Sequence, residues 1–304
     1  MGIDHRRNLP SFASKTFRRW FHEHRALGEG TGAGVSETQK TADDHPPTPA
    51  VAAKGSGPVA LFATCLVNYQ HPEVGESAVR VLEHNGIEVE LAQDEVCCGM
   101  PALDGGDMDR AQRLALRNVS ALLPLVRRGM RIVIPEPTCG FMIKKEYPVI
   151  LGTPEAQEVS RAALDLGEYL VQRIRDHTLR EDFSGPVPAE ILYHVPCHLR
   201  AQNMGVPVKD VLSVLPGTRV EAVARCSGMD GTWGMKAGNF NRSMEVARRL
   251  LNRVGEASSE TCVASDCALA GLQIEQGTGR NVRHPVEVLA RAYGLMGDAG
   301  TGPI

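Results

Sequence analysis

The chain has 304 residues, 42% of them hydrophobic and 23% charged, a composition able to bury the core of one large domain or two ordinary ones. Its formal net charge of −3 lacks the Lys and Arg excess of a nucleic-acid binder. No apolar stretch approaches the roughly 18–20 residues of a spanning helix, and MGIDHRRNLPSFASK contains no apolar run of the roughly 7–15 residues a secretory signal needs; a cytoplasmic chain is expected, touching a membrane only peripherally.

In chain order, FRRWFHEHR (Phe17 to Arg25) comes first, with Phe17, Trp20, Phe21 and His24 at helical spacing opposite a basic face. Such a helix either docks on a partner or membrane surface or, more commonly, packs on the body of its own protein. Residues 28–57 are rich in Gly, Pro, Thr and Asp without apolar period and are expected to be a disordered linker. From Pro58 onward, β-branched runs alternate with helical patterns. VALFAT is a strand ending at Cys65; GESAVRVLEHNG is a helix closed by Asn85-Gly86; IEVELA is a strand followed by the turn EVCCGM. Asp107 to Arg128 is a long helix, and RIVIP is a buried strand shortly before Cys139.

The same grammar then returns. EILYHV leads to Cys197, VKDVLSVL is helical, VEAVA leads to Cys226, Asn241 to Val254 is helical, and TCVAS leads to Cys267. Cys65 to Cys97 spans 32 positions and Cys197 to Cys226 spans 29; Cys98 to Cys139 spans 41 and Ser227 to Cys267 spans 40. This is an internal duplication. The fold class it predicts is α/β, two pseudo-symmetric parallel-sheet halves with cysteine loops at the C-terminal edges of the strands. The expected organisation is an N-terminal basic segment and linker (1–57), a first half (58–153), a connecting helix and loop (154–189, with Pro154 to His177 helical), a second half (190–297) and a tail (298–304).

In open parallel sheets ligands bind at the carboxyl ends of the strands. Seven of the eight cysteines fall there: Cys65, Cys97, Cys98 and Cys139 in the first half, and Cys197, Cys226 and Cys267 in the second. In a reducing compartment such a pattern reads as metal binding or redox chemistry. Thiolate-rich cages select zinc, copper(I) or iron–sulfur clusters. A single zinc ion favours closely spaced Cys-x-x-Cys pairs, whereas the vicinal pair Cys97-Cys98 with Gly99 aims two sulfurs at one polynuclear centre, which favours iron–sulfur. Cys262, inside a strand and without a counterpart, reads as a core thiol. His194 and His198 flank Cys197 and offer imidazole ligands or hydrogen bonds, though a histidine at a strand end is more often a satisfied polar group; Asp266 and Ser227 are further oxygen-ligand candidates.

CLVNYQHPEVGES, EVCCGMPALDGGD, PEPTCGFMIKKEYP, YHVPCHLRAQNMG, RCSGMDGTWGMK and SDCALAGLQI, followed by HPVEVLARAYG, together resemble the duplicated cysteine-rich CCG domain over about residues 58–296. That domain occurs in the iron–sulfur subunit of anaerobic glycerol-3-phosphate dehydrogenase, in a cysteine-rich subunit of heterodisulfide reductase, and in related glycolate and lactate oxidase subunits. The resemblance implies an electron-carrying subunit holding a [4Fe–4S] cluster. Electrons would come from a flavoprotein dehydrogenase subunit, which alone carries FAD, and pass towards a quinone or other carrier, at the inner face of the cell membrane through its partners. In the heterodisulfide reductase pattern each half has five cysteines. Cys65, Cys97, Cys98 and Cys139 match four of them and Met142 stands at the fifth; in the second half Cys197, Cys226 and Cys267 match, while Ser227 and Ala270 replace two. The ferredoxin-like segment usual in relatives of the glycerol-3-phosphate dehydrogenase type is missing before Cys65, so a ferredoxin-type relay is expected from a partner or from upstream sequence. Two other readings remain: a heterodisulfide reductase-like thiol–disulfide oxidoreductase, and a zinc-stabilised scaffold.

Overall fold

The computed structural model describes residues 2–30 and 57–296. The strands are β1 (Val59–Leu61), β2 (Val89–Leu91), β3 (Arg131–Ile134), β4 (Ala163–Asp165), β5 (Glu190–His194), β6 (Arg219–Val223), β7 (Cys262–Ala264) and β8 (Val282–Arg283). They form two four-stranded sheets of the same topology, β2-β1-β3-β4 and β6-β5-β7-β8, in which every pairing is parallel. In the first sheet Val59 pairs with both Val89 and Arg131; in the second Ile191 pairs with both Val220 and Cys262. β1 and β7 are buried throughout and β3 is buried beyond Arg131, because helices cover both faces of each sheet.

The helices follow from apolar periodicity and local capping. In Met108–Arg127, Ala111, Ala115, Asn118, Val119, Leu122 and Leu125 form one buried stripe, and Asp107 Oδ1 accepts from Arg110 N at 3.0 Å to cap the start. The two halves are joined by exchange. The helix Pro72–His84 of the first half packs on Pro285–Ala292 of the second, and Pro207–Leu212 of the second packs on Leu166–Arg175 of the first. One core therefore runs across both sheets, joining Val59, Leu61 and Val133 to Ile191, Tyr193 and Ala264, while the outer face of each sheet has a cluster of its own.

The N-terminal helix, Phe17–Gly30, packs on the body. Phe17 is wholly buried against Gly75, where an added Cβ would lie 2.5 Å from the ring, so the aromatic face of FRRWFHEHR is core rather than a free docking face. The expected linker falls, over residues 31–56, outside the described residues, as does the tail 298–304. The expected continuous helix from Pro154 to His177 is corrected: it is two helices, Pro154–Ala162 and Leu166–Arg175, separated by β4. Ala163-Leu164-Asp165 has no strand pattern of its own; its pairing with Ile132, Val133 and Ile134 is tertiary. The two-residue β8, paired with β7, is invisible in the sequence for the same reason.

Candidate functional site

The C-terminal strand ends place the first-half cysteines on three neighbouring loops. Cys65 opens the helix Cys65–Tyr69 after β1, capped by Thr64; Cys97 and Cys98 follow β2 in a turn closed by Gly99 at φ 95°; Cys139 lies on Pro137–Phe141 after β3. Their side chains meet in a row, Cys65 to Cys97, Cys97 to Cys98, and Cys98 to Cys139. Hydrogen bonds from Cys65 and Cys98, with help from the Gly99 N–H, hold the Cys97 thiol far below its ordinary range. Its neighbours move the other way: donation to Cys97 and burial raise Cys65, and contacts with Cys139 and Cys97 raise Cys98. Cys139 is drawn down by Cys98 but raised overall by burial and the nearby Glu136. Among the described residues no group of three or more His, Cys, Asp or Glu is set to hold a single metal ion.

The turn is held by residues outside any cysteine motif. Asn118, fully buried in the helix Met108–Arg127, accepts from Val96 N at 2.8 Å and donates from Nδ2 to Cys97 O at 3.1 Å and Tyr147 Oη at 2.8 Å. Tyr147 Oη donates to Cys98 O at 2.9 Å. Glu95 Oε1 accepts from Ala63 N at 2.7 Å and pairs with Arg18 at 2.5 Å, which ties the N-terminal helix to the turn. Burial raises Glu95 to about 7 despite Arg18. Asn118 leaves one trace in the sequence, a lone polar residue on an apolar helical stripe.

The second half repeats the arrangement with one sulfur fewer. Cys197 opens Cys197–Ala201 after β5, Cys226 follows β6, and Cys267 precedes the helix Ala268–Thr278 after β7. Burial and then the adjacent Cys226 raise Cys197; burial and then Glu136 raise Cys267, which also feels Cys197. Gly228 N donates to Cys226 Sγ at 3.3 Å, just as Gly99 serves Cys97. Gly228 sits at φ 74°, and a Cβ there would lie 2.2 Å from Ser243 O, so no other residue fits. Ser243 Oγ donates to Gly228 O at 2.8 Å and accepts from Arg7 Nη2 at 2.7 Å; Arg7 Nη2 also donates to Gly234 O at 2.5 Å. The N-terminal strap thereby clamps the RCSGMDGTWG loop, which the sequence did not disclose.

The remaining candidates separate cleanly. Ser227 stands half-buried beside Cys226, and Met142 and Ala270 fill the fifth positions as buried apolar groups. His194 donates from Nε2 to Arg225 O at 3.0 Å and accepts at Nδ1 from Ser265 Oγ at 3.1 Å; burial lowers it to about 4, so it is a neutral structural residue with no free nitrogen. His198 Nδ1 meets Thr138 Oγ1 at 3.0 Å, and its ring stacks on Phe141, 5.2 Å between centroids. It bridges the halves. Asp266 Oδ1 accepts from Tyr193 Oη at 3.0 Å, and burial raises it to about 7. Cys262 lies in the core of β7, raised by burial to about 11.

The two cysteine edges face each other. Besides His198 with Thr138, Glu136 Oε1 accepts from Ala268 N at 3.2 Å and His284 Nε2 donates to Pro135 O at 3.0 Å. Glu136, buried beside Asp266, is raised by burial to about 8. Beside Cys267 a cavity of about 490 Å³ opens between the halves under the strap residues Asn8 to Ser11.

A duplicated cage of this kind carries its family in its residues, and the model of the cysteine-rich domain CCG matches twice, over 59–144 and 191–275. The chain belongs to the CCG cysteine-rich domain family. Among similar proteins, a subunit of the anaerobic glycerol-3-phosphate dehydrogenase of Escherichia coli K12 is 30% identical over 292 residues, covering 95% of this chain and 67% of that one. A subunit of the fumarate reductase (CoM/CoB) of Methanothermobacter marburgensis is 29% identical over 273 residues, 85% of this chain and 52% of the relative. Lactate utilization protein A of a Geobacillus species is 28% identical over 241 residues, 76% of this chain and 98% of the relative. This CCG chain thus spans about two thirds of the first relative and about half of the second. No helix among the described residues is long and apolar enough to cross a membrane.

Proposed function

We propose that the chain is an iron–sulfur electron-transfer subunit of a flavin-linked dehydrogenase of the glycerol-3-phosphate, glycolate or lactate type. The observation that carries this reading is the row of four sulfurs drawn from three strand-end loops. Such a donor set fits a [4Fe–4S] cluster, which when bound supplies one-electron transfer. Cys65, Cys97, Cys98 and Cys139 would hold it, and Asn118 and Tyr147 fix the carbonyls of the vicinal pair so that both sulfurs keep their aim. The Gly99 N–H at Cys97, matched by Gly228 N–H at Cys226, favours added negative charge at sulfur. In the second half Cys197, Cys226 and Cys267 offer three thiols, with Ser227 beside them.

The flavin, the dehydrogenase substrate and the step to a quinone or other carrier belong to partner subunits, with a ferredoxin-type relay where one is needed. The setting is the cytoplasm, at the inner face of the cell membrane through those partners. Support comes from the relatives, two of which are named as subunits of a dehydrogenase and a reductase. Anaerobic purification with iron, sulfide and EPR measurements tests the reading. Iron and acid-labile sulfide in equal amounts are expected, with the EPR signal lost or altered in Cys98→Ser; a chain devoid of both overturns it. A second reading, thiol–disulfide oxidoreduction, is favoured by the cavity at Cys267. It predicts disulfide turnover by the isolated chain with no flavoprotein present.

A further inference from the structure

The two sheets share one topology, yet their outer edges are finished differently. In the first sheet β2 is the edge strand. Val59 N donates to Glu88 O at 2.9 Å, so Glu88 and Glu90 turn their peptide groups to β1 while Val89 turns outward. The N-terminal helix Phe17–Gly30 covers that edge: Arg25 Nη1 donates to Val89 O at 3.4 Å, and both terminal nitrogens of Arg18 donate to Ala92 O at 3.0 Å.

In the second sheet the corresponding edge is β6. Arg219 N donates to Ala189 O at 2.9 Å and Val223 O accepts from Val195 N at 3.0 Å, so Arg219, Glu221 and Val223 face β5. Val220 and Ala222 therefore point their N–H and C=O groups away from the sheet, and no described residue bonds them there. Both residues are partly exposed. A bare edge of this kind is a template for a further strand, and proteins normally cover it, as the first half does.

Beside the edge lies a groove of about 690 Å³, walled by Glu221 to Arg225 on one side and by Arg249, Asn252, Arg253 and Glu256 on the other. Its charges are three arginines against two glutamates. Arg253 serves both glutamates: its Nε donates to Glu221 Oε1 at 2.8 Å, and Glu256 lies near enough to add to its field. Arg225 and Arg249 have no ion-pair partner among the described residues. Arg200 adds a third guanidinium at the same end, with Nη1 3.5 Å from Ala224 O. The end of the groove next to Cys226 is thus positive and attracts carboxylates.

We propose that the outer edge of β6 is a docking site for an extended acidic segment of a partner protein. The segment adds as a strand, bonding the peptide groups of Val220 and Ala222, and sets carboxylates against Arg225 and Arg249. It would seat the partner directly beside Cys226. The site depends on the edge and its arginines alone and stands whether or not the cysteines hold a cluster.

The test is calorimetric titration of the purified full chain with a blocked heptapeptide of alternating glutamate and valine, and with its lysine–valine counterpart. Saturable binding of the glutamate peptide is expected, with none of the lysine peptide. Ala222→Pro removes an outward N–H that β5 does not use, a change an edge strand tolerates, and Arg249→Gln removes one free charge. Each should weaken binding at least about tenfold. Absence of saturable binding by the wild type overturns the proposal, as do preference for the lysine peptide and unchanged affinity in either variant. If Ala222→Pro fails to fold, the glutamate peptide N-methylated at its valines replaces it, and undiminished binding of that peptide rules out strand addition. A wild-type dimer in sedimentation that Ala222→Pro abolishes would assign the edge to a second copy of this chain and overturn the proposal as well.

Discussion

Asn118→Ala probes the support of the vicinal cysteine turn. The side chain is fully buried and makes three hydrogen bonds, from Val96 N at 2.8 Å, to Cys97 O at 3.1 Å and to Tyr147 Oη at 2.8 Å. At about 1 kcal/mol net per bond, their loss costs about 3 kcal/mol, and more if the Cys97 carbonyl stays buried without a partner. At roughly 2–4 °C per kcal/mol for chains of this size class, melting should fall by about 6–12 °C. Tyr147→Phe removes only the bond to Cys98 O at 2.9 Å and one acceptor for Asn118, so about 1–2 kcal/mol is expected. Because the two residues share a bond, the double variant should lose less than the two single losses combined, by about 0.5 kcal/mol or more. Thermal denaturation of the metal-free chain measures all three. A fall of under about 2 °C for Asn118→Ala, or strictly additive losses, would refute the view that this network holds the turn.

Gly228→Ala and Gly99→Ala compare the matched glycines of the two turns. Each non-glycine left-handed residue costs about 1–2 kcal/mol, but only Gly228 also faces backbone, with a new Cβ 2.2 Å from Ser243 O against 3.5 Å to the Met142 side chain at Gly99. Denaturant unfolding should show the larger loss for Gly228→Ala, and equal losses would sink the argument. The pH profile of stability follows from buried groups. Glu95, Glu136 and Asp266 keep their protons to about 7, 8 and 7 when folded, above their ordinary values, so the folded state binds more protons and stability falls as pH rises through that window. His194 and His284, held neutral down to about 4, add stability from there up to their ordinary 6.5 and nothing beyond. Melting of the metal-free chain should therefore decline between pH 6.5 and 8; a flat or rising profile contradicts the assignment. Finally, Cys262→Ser should retain wild-type iron while losing about 1–3 kcal/mol to a hydroxyl in the core, whereas Cys139→Ser should lose iron; iron loss in Cys262→Ser would place that thiol at the centre.

Much was legible from the chain alone. Six strands ending just short of cysteines, four principal helices and the duplicated spacing all reappear at nearly the expected residues, because period-2 and period-3.6 burial patterns are local properties. The resemblance to the CCG domain rested on the same local phrases and agrees with the two family matches. Illegible were β4 and β8, three and two residues long, which exist as strands only because a neighbour's backbone offers hydrogen bonds. The supports at Tyr147 and Arg7 were equally hidden, and Asn118 showed only as a lone polar residue on an apolar stripe, since each acts on a segment at least 20 residues away.

The sequence by itself determined where the cysteines stand along the two repeats and that the halves are chemically unequal, for Ser227 and Ala270 can be read position by position against Cys98 and Met142. Only the tertiary structure decided that the first four cysteines come together on neighbouring strand-end loops, that His194 is spent on backbone and Ser265, and that Lys144 is spent on Asp165 and Glu168. Those outcomes depend on the exchange of helices between halves, which brings residues more than 100 positions apart into one packed interface, and no local pattern encodes that distance.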